Sequence, residues 1–303
     1  MASTPDTPSV EGTAPFTYKG ETYQTWYKVF GSLQGRTRAP LICLHGGPGL
    51  AHDYLLPLAD LASPTAGSVP VIFYDQLSGG RSTHLPGKPP AFWTIDLFAD
   101  ELASLLTHLG VEDGFHLLGH SWGGVLAAEF AVRRAPPGLR SLVFTNSLPS
   151  MALWVESNVR LLQGLPAWVM EGVVAGYADK DKLLRSLKEV HSKHGCILKP
   201  PPKEFTGTLE DLFADDSSLA VPAAMFAPDG ELASWTIIDR LHLISVPALV
   251  INGRMDIAQD FVVRPFFEKM QKVKWRTFES SSHTPMWEER EEYNKEVLAF
   301  LDM

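Results

Sequence analysis

Short apolar runs recur along the chain, and between them apolar residues return at every third or fourth position. The runs are "PLICLHGG" (40–47), "VPVIFYDQ" (69–76), "FHLLGHS" (115–121), "LRSLVFTN" (139–146), "VPALVING" (246–253) and "VKWRTFE" (273–279). Continuous apolar runs of this length suit parallel strands covered on both faces. "TYQTWYKVFG" (22–31) alternates β-branched and aromatic residues near period two and predicts an earlier strand. In 94–110 the apolar positions Ile95, Phe98, Leu102, Leu105, Leu106 and Leu109 line one helical face, and Gly110 is placed to stop it. Helices are also predicted over 124–136, ended by Pro136, and over 285–301, with Pro285 near its start. Alternating strand and helix implies a doubly wound α/β sheet.

The stretch 148–240 breaks the rhythm. Its helical spacings, interrupted by "KPPPKEF", read as a helical cap inserted between two core strands. The expected organisation is a mobile polar tail over 1–14, a core over 15–147 and 241–303, and the cap over 148–240.

Composition narrows the function classes. The chain has 303 residues, 45% hydrophobic and 20% charged, with a net charge of −9. No basic stripe points to nucleic acid, no run approaches the roughly 18 apolar residues of a membrane span, and the N-terminus lacks the pattern of a secretory leader. The expectation is a cytoplasmic protein with no nucleic-acid or membrane partner. Two cysteines make no disulfide framework, and Cys43 reads as a core thiol.

The chemistry enters at "GHSWG" (119–123), a G-x-S-x-G pattern between a predicted strand and a predicted helix. A tight strand-to-helix turn exposes the serine hydroxyl, and Gly119 and Gly123 leave room where a Cβ would meet backbone. Ser121 is the candidate nucleophile. It needs a base, and His283 lies in "ESSSHTPMWEE", between the last strand and the last helix. His120 adjoins the serine and is expected to point elsewhere; His191 and His194 are expected on a solvated helix face. Asp256 follows the strand "ALVING" and is the candidate acid, while Asp260 is expected to cap the next helix. The glycine loop "HGGPG" (45–49) offers the Gly47 N–H, with that of Trp122, as an oxyanion hole.

Together "HGGPG", "FYDQLSGGRS" (73–82), "GHSWGG" (119–124), "GRMD" (253–256) and "SSHTPMWEE" (281–289) resemble the proline iminopeptidase family of α/β-hydrolases over roughly residues 15–302. The resemblance implies a mostly parallel eight-stranded sheet with helices on both faces and a helical cap after the sixth strand. It implies a serine peptidase or amidase that acts through an acyl-enzyme on small or short-peptide substrates, with no metal or cofactor. It carries over Ser121, Asp256 and His283 as the triad and Gly47 and Trp122 as oxyanion donors. Asp75 and Gln76 would shape the site from beneath, beside His45 and Gly46. At the positions where family aminopeptidases hold the substrate ammonium with glutamates, this chain has Ile257 and Met225; Glu231 of the cap is a candidate substitute. A buried ammonium without a counter-charge is costly. An esterase, lactonase or amidase for uncharged molecules is therefore the alternative, and a non-catalytic binding protein of the same fold is a more remote one. Lid residues Trp154, Leu161, Leu162, Trp168 and Phe226 are candidates for the pocket wall or the lid core.

Overall fold

The computed structural model describes residues 7–303. Eight strands form one sheet: β1 (Ser9–Tyr18), β2 (Glu21–Phe30), β3 (Leu41–Leu44), β4 (Val71–Tyr74), β5 (Phe115–His120), β6 (Leu139–Thr145), β7 (Ala248–Gly253) and β8 (Val273–Phe278). Their order is β1-β2-β4-β3-β5-β6-β7-β8, antiparallel at β1/β2 and β2/β4 and parallel elsewhere.

The central strands are mostly apolar because both faces are covered. Ile42, Leu44, Leu117, Phe144 and Val250 join one core. It is shared with the helices α1 (Ile95–His108), α2 (Trp122–Arg134) and, after the cap, α8 (Asp260–Lys269). Their neighbours Leu41, Cys43, Leu118, Val143 and Leu249 join the other, with the 3-10 segment Asp53–Ala62 and the C-terminal helix α10 (Arg290–Leu301). The period-two split of a strand thus feeds two layers. Thr94 caps α1, its hydroxyl accepting from Leu97 N–H at 3.1 Å.

Between β6 and β7 the chain leaves the sheet as α3 (Met151–Leu162), α4 (Ala167–Ala175), α5 (Lys180–His194), α6 (Lys203–Ala214) and α7 (Asp216–Met225). The neck of this excursion is a single antiparallel bridge, Ser150 to Thr236, flanked by Met151 N–H on Trp235 O and Ile237 N–H on Pro149 O, both 2.9 Å. Glu129 of α2 anchors the return. It accepts from Trp235 Nε1 (2.7 Å), Arg133 Nε (2.7 Å) and Arg240 Nη1 (2.9 Å). Burial alone would raise its pKa, but these donors outweigh that and hold it below the usual carboxylate range.

Two expectations are corrected. The tail expected over 1–14 is strand β1 from Ser9 onward, paired along its whole length with β2; residues 1–6 lie outside the described residues. β1 is an edge strand, so Pro15 is tolerated and only Ala14 and Phe16 need burying. The helix expected over 285–301 is two: α9 (Pro285–Glu288) and α10, broken at Glu289. Glu289 accepts from Ser280 N–H (3.0 Å) and Ser281 Oγ (2.5 Å), and Glu288 from Ser282 N–H (2.8 Å), so the two acids clamp the loop before His283. Among the described residues no helix is long and apolar enough to cross a membrane.

Glu101 of α1 is fully buried, accepting from Thr25 Oγ1 (2.7 Å) and Leu77 N–H (3.1 Å). Burial pushes its pKa up to about 8 against those donors, with Asp75 adding to the rise. The fold therefore keeps a proton that the unfolded chain releases near pH 4.5, and the contribution of Glu101 to stability falls as pH rises from about 5 to 8. Glu101→Gln keeps the acceptor and removes the titration. In melting curves recorded across that range, the variant should lose less Tm than the parent by at least about 2 °C. Parallel curves would contradict this.

Candidate active site

The loops after β3, β5, β6, β7 and β8 meet at the carboxyl edge of the sheet, the usual place for a site in a parallel sheet. Ser121 sits on the turn from β5 to α2 at φ 54° and ψ −120°, a conformation disfavoured for a residue with a Cβ. Neighbouring glycines make the turn possible. A Cβ at Gly119 would lie 2.3 Å from Gly123 O, and one at Gly123 would lie 2.1 Å from Leu44 O. The hydroxyl is thereby lifted into a cavity of about 230 Å³ beneath the cap, whose wall includes Ser121, His283, Gly46 and Gly47.

His283 Nδ1 donates to Asp256 Oδ1 at 2.6 Å, which leaves Nε2 as the free ring nitrogen. Asp256 is 1% exposed, so its charge must be met inside the protein. Asn146 Nδ2 donates to Oδ2 (2.6 Å) and Ala258 N–H to Oδ1 (2.9 Å), with Gly253 N–H at 3.4 Å. Asn146 takes a left-handed φ of 52° at the end of β6, and the same amide also donates to Ser282 O (3.1 Å). Asp260 lies at the start of α8 but does not act as its capping residue, which is Gln259. Its carboxylate instead accepts from Asn252 Nδ2 (2.9 Å) and Arg254 Nη1 (2.8 Å).

A hollow of about 30 Å³, room enough for a water, opens beside the serine; Gly47, Ser121 and Trp122 line it together with apolar side chains such as Val125, Leu148, Met151 and Phe226. Among the described residues neither the Gly47 N–H nor the Trp122 N–H meets an acceptor. The latter is the first N–H of α2, one of the donors a helix start leaves free. Gln76 lies beneath. It accepts from the Trp122 indole at 2.8 Å, donates to His45 O at 3.2 Å, and its N–H meets His45 Nε2 at 3.0 Å. Burial holds the His45 imidazole below its ordinary pKa, against the nearby Asp75. Asp75 binds His52 and the Arg81 N–H and does not reach the cavity.

The cap covers the cavity with apolar and neutral polar groups, among them Trp154, Phe226, Asn158, Tyr177 and His191, and Ile257 joins them from the loop after β7. No Asp, Glu, Lys or Arg of the described residues lines it. Of the expected site-shaping residues, Ile257 and Gly46 are in the wall. Met225 is buried in the large core instead. Glu231 accepts from Ile95 N–H at the start of α1, away from the cavity. Leu161, Leu162 and Trp168 pack in a small cap core that Ile257 joins.

Two groups were misjudged or missed from the sequence. His191 does not lie on a solvated face but in the cavity wall, where burial and the nearby His283 push its pKa down to about 4. Asn146, the second partner of the aspartate, carries no sequence signal beyond its place at a strand end.

A sequence model described as the alpha/beta hydrolase fold matches residues 39–289. The proline iminopeptidase of Clostridioides difficile (strain 630) is 31% identical over 306 residues, covering 96% of this chain and 98% of that protein. The one of Thermoplasma volcanium is 32% identical over 275 residues, 88% of this chain and 89% of its own. Among solved structures, the Mycobacterium smegmatis proline iminopeptidase superposes with a TM-score of 0.83 at 37% identity, over 97% of this chain and 98% of that one. The crystal structure of VinJ does so with a TM-score of 0.87 at 38% identity, over 97% and 99%. With its fold, its motif order and these matches over nearly the whole length, the chain belongs to the proline iminopeptidase family of α/β-hydrolases.

Proposed function

We propose that this hydrolase cleaves amide bonds of small substrates through an acyl-enzyme on Ser121, and that it accepts substrates without a free ammonium. Ser121 Oγ attacks the carbonyl carbon while its proton passes to His283 Nε2. Asp256 keeps the imidazole in the tautomer that can receive it and stabilises the imidazolium. The N–H groups of Gly47 and Trp122 receive the oxyanion in the small hollow. Collapse expels the leaving amine, which takes the proton from His283. Water, deprotonated by the same imidazole, then releases the acid and restores the serine.

The observation that carries the substrate reading is the wall itself. An α-ammonium that leaves water for this site is best met by a carboxylate, and among the described residues the wall has none. Neutral acceptors such as Asn158 suit an amide or hydroxyl instead. The same neutrality favours esters as the second class of substrate, since acyl transfer from an ester follows the same steps with an alcohol as leaving group.

Proline and alanine p-nitroanilides, free and N-acetylated, test this directly. The two forms should differ in kcat/KM by less than about tenfold, and Ser121→Ala should lose at least about 10⁴-fold in kcat on both. A free-amine preference above about a hundredfold, roughly 2.7 kcal/mol, would sink the neutral-substrate reading. Unchanged turnover in Ser121→Ala would sink the mechanism.

Placing a carboxylate in the wall should restore what is absent. Asn158→Asp and Ile257→Glu are each expected to shift the free-over-blocked kcat/KM ratio toward the free amine by about tenfold. Asn158 is only half-buried, so its variant guards against misfolding of the Ile257 one. No shift in a folded Asn158→Asp protein would show that the substrate amine does not reach this wall.

A further inference from the structure

The loops bearing the nucleophile, the base and the oxyanion donor are joined by a buried line of hydrogen bonds that the steps above do not use. His120 Nε2 lies 2.8 Å from the carbonyl oxygen of His283. A carbonyl only accepts, so Nε2 carries the ring proton. Burial, with His283 close by, holds the His120 imidazole well below its ordinary pKa, so the ring is neutral and Nδ1 is bare. Nδ1 therefore accepts from the Tyr54 hydroxyl, 2.8 Å away, and the Tyr54 oxygen accepts from Gly46 N–H at 2.6 Å. Every direction in the line is fixed: Gly46 N–H to Tyr54 O–H to His120, and His120 N–H to His283 C=O.

The line has little slack. Tyr54 and His120 are 1% and 3% exposed. A Cβ at Gly46 would lie 2.9 Å from the Tyr54 oxygen and 3.2 Å from His120 Nδ1. The His120 and His283 rings meet edge to face at 4.6 Å. One end of the line holds the peptide next to Gly47, and the other holds the backbone of the base. Side-chain hydrogen bonds of the triad fix the His283 ring toward Asp256, but they do not fix its backbone relative to the glycine loop.

We propose that His120 and Tyr54 are positioning residues that hold the oxyanion loop and the base loop in register, so that the Gly47 N–H and His283 Nε2 serve the same tetrahedral centre. The proposal rests on the reading of Ser121, His283 and Gly47 given above. Neither residue takes a proton in the reaction. Their effect is geometric, and misplacement of about 1 Å at such a site is costly in rate.

The test uses the full chain and four variants: His120→Phe, His120→Gln, Tyr54→Phe and the double Tyr54→Phe/His120→Phe. The reactive serine is titrated with a fluorophosphonate, so kcat is expressed per competent site, and KM and Tm are measured alongside. Both single Phe variants should lose about 10- to 100-fold in kcat with KM within about threefold. His120→Gln keeps an N–H able to reach the His283 carbonyl and should recover to within about fivefold of the parent. The double variant should be no worse than the poorer single, because either change cuts the same line.

Losses confined to Tm or to the number of titratable sites, with kcat per site unchanged, would reduce both residues to packing and overturn the proposal. So would a double variant whose loss is the product of the singles. These failures leave the hydrolase reading standing. A parent enzyme that the fluorophosphonate does not label, with turnover surviving in Ser121→Ala, would remove both.

Discussion

The structure turns on one buried pair. A carboxylate with 1% exposure is tolerable only where donors replace water, and Asp256 collects them from three loops at once. The imidazole comes from the loop after β8, the Asn146 amide from the end of β6, and the Ala258 and Gly253 N–H groups from its own loop after β7. Removing any one donor exposes the others to an unmet charge, so the pair specifies the loops as much as the loops specify the pair. Asn146 shows this coupling. Its left-handed backbone is strained for a non-glycine residue, and it persists where the amide meets both Asp256 and Ser282.

The serine is held by a different device. Nothing charged restrains Ser121; its φ of 54° is imposed by backbone crowding between β5 and α2, where only glycine fits at 119 and 123. One side of the site is thus set by electrostatics and the other by steric exclusion. The His120–Tyr54 line ties the two sides together, since His120 sits on the strained turn and donates to the carbonyl of His283, and Ser147 Oγ adds a second tie by donating to Ser121 O at 2.8 Å.

These differences explain what was legible in the chain. The inner strands read clearly because both faces are covered and most of their residues are apolar. β1 did not, since an edge strand needs only one apolar face and tolerates Pro15. The break at Glu289 was hidden because the spacing of apolar residues continues across it, while the carboxylates of Glu288 and Glu289 are drawn to the serine loop instead of to solvent. Ser121, Asp256 and His283 stand out as candidates because each occupies a position that topology defines: a turn or loop after a strand. Tyr54 and His120 lie 66 residues apart, and no local pattern announces their contact. His191 was misplaced for a related reason. A helix face that borders a cavity is mixed in polarity, and periodicity alone does not separate it from a face that borders water.

The cap is where inference by register is weakest and where the substrate is decided. Glu231, the cap carboxylate offered as a substitute, accepts from the start of α1, while Met225 is absorbed into the main core. Both facts follow from how the cap is fastened. Trp235 and Arg240 converge on Glu129 of α2, and the Ser150–Thr236 bridge closes the neck, so the segment leading into them is tied to the core and brings Phe226 and Leu232, not Met225 or Glu231, to the pocket walls. Over Ser121 the wall is built by α3, α5, α6, the end of α7 with Phe226, and the Ile257 loop, and that wall is neutral. The cap keeps its ion pairs, such as Lys188–Glu210, away from the cavity, and none of its charged residues lines the wall. What the wall offers is therefore shape and neutral hydrogen-bonding groups.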